Sequence, residues 1–148
     1  MLPKWHILFG FFFTVLIWIA SPNINLLFLL LLFLSTFLID FDHYLCAVVK
    51  CKNLSLAKAH SYNLRIIEEQ LKKKKSGIYE RGDFHFFHTI EAHIIIGLLG
   101  VFWDGFFYVL LGMIFHSLLD LYTLLVKKDM HIREYFFFRW LWKKIKRS

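Results

Sequence analysis

Apolar residues in this chain fall into four uninterrupted runs, and almost every cation is kept out of them. The runs cover residues 5–20, 24–39, 84–103 and 105–126. A helix crossing ~30 Å of hydrocarbon needs ~20 such residues at 1.5 Å each. The third and fourth runs meet that length. The first extends back through residues 1–4, and the second extends forward when 40–49 are added, which places Asp40, Asp42 and His43 in its last turn. A cleaved leader is the competing reading of the first run, but Trp18 would sit three residues before a cut after Ala20, where a small side chain is needed. Of the 148 residues 58% are hydrophobic, more than a soluble domain this small can enclose.

The cations give the topology. All 18 Lys and Arg lie at Lys4, between Lys50 and Arg81, or from Lys127 onward, and the turns at 21–25 and around Asp104 have none. Lys and Arg stay on the cytoplasmic side. The expected fold is therefore all-α and polytopic, a bundle of about four transmembrane helices over 3–20, 24–43, 84–103 and 105–126, in a cell membrane with both termini cytoplasmic. The loop 50–83 carries a connector helix, with Leu56, Leu64, Ile67 and Leu71 on one face and Glu68 and Glu69 four residues before Lys72 and Lys73. The tail 127–148 mixes aromatic rings with cations, the composition of a helix lying at the headgroup level. The net charge of +7 is explained by topology and attraction to anionic lipid. Membrane lipid is the expected partner and nucleic acid is not. Cys46 and Cys51 read as reduced structural thiols.

Ionisable groups inside spans are costly and mark function by default. The second helix ends in Asp40, Asp42 and His43. The third begins with His85, His88, Glu91 and His93. The fourth carries His116 and Asp120. At 1.5 Å per residue these groups fall at one level, near the cytoplasmic face. His116 and Asp120 are i, i+4 and share a face; His88 and Glu91, and Asp40 and His43, are i, i+3. On an unbroken helix Asp42 points about 160° from Asp40, so either the helix breaks there or only one carboxylate joins. Facing carboxylates and imidazoles in an apolar setting call for a cation between them. The mixed donor set suits one or two divalent ions, with zinc expected and manganese or iron possible on donor chemistry. Asp42, His43, His88, His116 and Asp120 are the expected ligands, Asp40 and His85 the second choices, and Glu91 the expected general base. His6 and His93 read as hydrogen-bonded packing, and His60 and His131 as solvated.

At these residues the sequence resembles the predicted membrane-bound metal-dependent hydrolases, small polytopic proteins of bacteria and archaea. Asp40-Phe41-Asp42-His43, His88-Thr89-Ile90-Glu91 and His116-Ser117-Leu118-Leu119-Asp120 resemble that family's three ordered blocks, across roughly residues 24 to 126. The family's block before the third helix is matched only in part: Glu80 and Phe86 stand where it has His and Ser. Either His85 or His88 is then the equivalent ligand. The resemblance implies a membrane-embedded hydrolase acting on a phospholipid or another membrane-associated ester. Two other classes fit the same residues. A metal-ion or proton transporter needs polar groups continuing to the outer face, where Asp104 is the only charge. A structural membrane subunit needs no metal.

Overall fold

The computed structural model describes residues 3–147, and among these all regular structure is helical. Seven α-helices follow in order: α1 Pro3–Ala20, α2 Leu26–Leu38, α3 Phe41–Cys51, α4 Leu56–Lys75, α5 Ile90–Leu99, α6 Gly105–Lys127 and α7 Phe137–Arg147. By length and composition α6 can cross a membrane, and α2 with α3 can do so as one span broken by a 42° bend. Helices α1 and α5 are apolar but shorter. Large apolar side chains cover the outside: Leu16 is 63% exposed and Leu98 62%.

Helices α1 and α6 pack closely against α2. Small residues make this possible, because association of apolar helices depends on close backbone approach. A Cβ on Gly10 of α1 would collide with the Thr36 hydroxyl of α2. A Cβ on Gly112 of α6 would collide with the Ser35 hydroxyl and come within 2.5 Å of the Leu32 carbonyl. Stacked rings extend the seams, Phe13 on Phe115 at 4.1 Å and Phe28 on Tyr108 at 4.8 Å. Leu32, Thr36, His6 and His116 are fully enclosed where these helices meet.

One sequence expectation needs correction. The third apolar run is not a helix from residue 84. Residues 86–88 form a single tight turn, and Thr89 is extended (ψ 153°) with its hydroxyl accepting from the Ala92 N–H at 3.3 Å. Such a side chain starts a helix, so α5 has only 10 residues, about 15 Å. In α4 the expected apolar face is outward, with Leu56 74% and Ile67 52% exposed. The packed face is Ala59 and Tyr62 with Ile66, set against Ala47 and Tyr44 of α3. Tyr62 donates to Asp83 at 2.7 Å. Burial and that carboxylate together push the phenol's pKa upward.

The tail is tied to the bundle. Both Glu91 oxygens accept from the start of α7, from Phe137 N at 2.9 Å and Phe138 N at 3.3 Å. Trp140 stacks on Phe84 at 4.1 Å. Glu134, 8% exposed, pairs with Arg81, and Gly82 N donates to the Ile132 carbonyl at 2.8 Å. The 129–135 segment is thereby held beside α6.

Candidate metal centre

The bend between α2 and α3 builds the first wall of the site. At Asp40 the backbone N–H turns to the Phe37 carbonyl (3.2 Å), and α3 starts one residue later. This break lets Asp40 and Asp42 both address His88, from its two nitrogens. Asp40 Oδ1 is 3.5 Å from Nε2, and Asp42 Oδ2 is 3.2 Å from Nδ1. Asp42 Oδ2 also accepts from the Phe87 N–H at 3.0 Å, which fixes the turn that carries His88.

The second wall is α6. His116 and Asp120, one turn apart, are 0% and 3% exposed. His116 Nδ1 donates to the Thr36 carbonyl at 2.8 Å, leaving the Nε2 lone pair facing the site. His88 is set the same way, because an Nδ1–H given to Asp42 leaves its Nε2 lone pair inward. A carboxylate or carbonyl behind each imidazole is the usual support of a metal-ligating histidine.

Four donor atoms converge: Asp40 Oδ1, His88 Nε2, His116 Nε2 and Asp120 Oδ2. The two nitrogens are 3.2 Å apart. Asp40 Oδ1 is 3.5 Å from each of them, and Asp120 Oδ2 is 3.5 Å from His116 and 3.9 Å from His88. Two ligands ~2.1 Å from one ion at the tetrahedral angle lie about 3.4 Å apart. Five of the six separations are thus close to those of a tetrahedron around one small cation, and the sixth, between the two carboxylates, is within 4.8 Å. Asp42, His43 and His88 form a second possible group, which shares His88 with the first. Either buried cluster could hold a metal ion. His88 Nδ1 cannot both donate to Asp42 and ligate, so a second ion held through that nitrogen would need a different tautomer.

His85 lies at the edge of this second group, against His43. Their rings are 3.7 Å apart, and His43 Nε2 is 3.6 Å from Asp40 Oδ1. His85 Nδ1 is 3.6 Å from Asp42 Oδ1, and both atoms are buried without a hydrogen bond. Buried polar atoms in that condition point to a missing partner such as an ion.

Glu91, expected as the general base, is elsewhere. The break at Thr89 turns it off the His88 face, and its carboxylate is occupied by the α7 backbone. His93 is packing, with Nε2 3.1 Å from the Ser117 hydroxyl. Cys46 and Cys51 are free thiols outside both groups. Two residues at the site are not among its expected members: His6, expected as hydrogen-bonded packing, and Arg133. His6, fully buried on α1, stacks on His116 at 4.0 Å with Nε2 3.2 Å from Asp120 Oδ1. Arg133 donates from Nη2 to Asp120 Oδ2 at 2.7 Å. A lone histidine in an apolar run, and one cation among many in a basic tail, carry no signal of their own.

Comparison with protein-family models, curated proteins and solved structures finds no match. The site therefore rests on its own geometry.

Proposed function

We propose that this chain is a four-span, membrane-embedded metal-dependent hydrolase with its centre near the cytoplasmic face. The observation that carries the proposal is the four-cornered set of donor atoms at tetrahedral separations, with a hydrogen-bond acceptor behind each imidazole. The apolar outer surface, the crossing length of α6 and the bent α2–α3 pair support a membrane setting. So does the placement of Lys and Arg. The amphipathic tail helix, tied to α5 through Glu91, is read as lying at the interface.

His88, His116 and Asp120 would hold the ion. Mixed imidazole and carboxylate donors at this spacing favour zinc. When bound, such an ion lowers the pKa of water and polarises an ester oxygen. Asp120 is fixed by His6 on one oxygen and Arg133 on the other, so it is a rigid ligand. Asp40 is the least enclosed of the four, its side chain 18% exposed at the helix break. With water rather than Asp40 as the fourth ligand, Asp40 Oδ1 would be the carboxylate oxygen placed to take a proton from it. Asp42 orients His88.

Metal content by elemental mass spectrometry tests this directly. Protein purified in mild detergent should carry about one ion per chain. A His116→Ala, Asp120→Ala double variant with the wild-type circular dichroism should carry none. The metal-loaded protein should hydrolyse phosphate or carboxylate esters presented in micelles. No metal after reconstitution with excess zinc, manganese or iron would overturn the proposal. A tightly held ion without turnover of either ester class would make the centre structural.

A further inference from the structure

An apolar groove of about 470 Å³ lies between α5 and α6, and it ends at the metal centre. Ile94, Ile114 and Leu118 line it, at 56%, 40% and 56% exposure, so it is open along its side. On α6 it runs from Leu121 to Leu110, about 16 Å at 1.5 Å per residue. Gly97 forms part of its wall, where a side chain would crowd Leu110. At the cytoplasmic end the lining changes character. There it consists of His88, Arg133 and Tyr135. Arg133 also borders the neighbouring cavity of about 850 Å³ that reaches Asp120.

An apolar channel closed at one end by a guanidinium has the charge and polarity pattern of one molecule type: an apolar chain with an anionic head. Arg133 is largely enclosed, its side chain 15% exposed. Its contact with Asp120 uses Nη2, and a guanidinium carries five N–H donors in a fork that matches phosphate oxygens. Charge-assisted bonds of that kind are stronger out of water. Arg133 is the one guanidinium or ammonium group that lines the groove, whose other polar side chains are His88, His93, Ser117 and Tyr135.

We infer that the α5–α6 groove holds an acyl chain of a phosphate-bearing membrane lipid, and that Arg133 binds its phosphate beside the metal centre. The inference rests on the hydrolase reading for its purpose but not for its test. It names the substrate class as an anionic phospholipid presented sideways from the bilayer. A water-soluble ester would leave the groove without a role.

The test is photo-crosslinking in detergent micelles with phosphatidic acid carrying a diazirine in one acyl chain. Diacylglycerol with the same chain is the comparison, and metal content is read on every sample. Labels should concentrate on peptides of α5 and α6 facing the groove. Leu118→Trp and Ile94→Trp, both at the open rim where a larger ring can be accommodated, should each lower that labelling at least about fivefold with metal content unchanged. Arg133→Gln should lower phosphatidic acid labelling about tenfold while diacylglycerol labelling stays the same, and Arg133→Lys should restore part of it. Labels spread evenly over the outer faces of α1, α2 and α6, or equal labelling by the two lipids, would overturn the inference. Selective labelling of a chain that never takes up metal would leave the inference standing and remove the hydrolase. Metal uptake with unselective labelling would do the reverse.

Discussion

Replacing Asp42 separates the two ways of reading the centre. In the tetrahedral group Asp42 is the support of His88, while Asp40 is one of the four inward donors. Asp42 Oδ2 accepts from His88 Nδ1 at 3.2 Å and from Phe87 N at 3.0 Å. Asp42→Asn keeps an acceptor oxygen and loses the charge. Asp42→Ala loses both bonds and also frees the turn carrying His88. Loss of such a support costs ~10- to 100-fold in metal affinity, or about 1.4–2.7 kcal/mol. The asparagine variant should fall near the lower bound and the alanine variant near the upper one. His116→Ala removes a donor outright and should exceed both. The assay is competition for zinc against a chromophoric chelator, with protein in mild detergent and helicity checked by circular dichroism. If Asp42→Ala weakens binding as much as His116→Ala while Asp120→Ala leaves it unchanged, the ion belongs to Asp42, His43 and His88, and the tetrahedral assignment is wrong.

Other residues give independent checks. Glu91→Ala should leave metal content unchanged while uncapping α7, at ~0.5–2 kcal/mol. Hydrogen exchange at Phe137 and Phe138 should then rise about 2- to 30-fold, and loss of the metal instead would return Glu91 to the centre. Gly112→Ala forces a methyl against the Leu32 carbonyl, which cannot rotate away; overpacking of this kind costs ~1–3 kcal/mol. Its thermal midpoint should drop clearly below that of Gly77→Ser, a substitution at a site with open space around it but positive φ. An unchanged midpoint would mean that α2 and α6 are not in this contact. Tyr62→Phe deletes a bond to a carboxylate and should cost about 1.5 kcal/mol, read as faster exchange in α4 with α6 unaffected.

Much of the centre is legible in the sequence, because periodicity and charge cost act locally. His116 and Asp120 share a face by spacing alone, and the depth argument brings Asp40–His43 to the same level. The weak points are where the chain leaves the regular helix. Carrying a helix back to Phe84 puts Glu91 on the His88 face; Thr89, a good helix-starting residue just before an apolar run, is the signal that the helix begins later. The bend after Leu38 decides how two carboxylates reach one imidazole, and the 160° argument leaves that open. His6 enters through tertiary packing, 110 residues from His116, and Arg133 enters from the irregular segment 13 residues after Asp120. No local pattern reports such a contact.

The bend at Asp40 has a further result. In a continuous helix the N–H of Asp40 would take up the carbonyl four residues earlier, that of Thr36. Here that N–H is turned to Phe37, and the Thr36 oxygen receives His116 Nδ1 instead. One omitted rung of the helix ladder thus selects the tautomer of an imidazole on another helix 80 residues away. Straightening the bend would reclaim the oxygen and free the ring to turn, so backbone shape and donor chemistry at this centre change together.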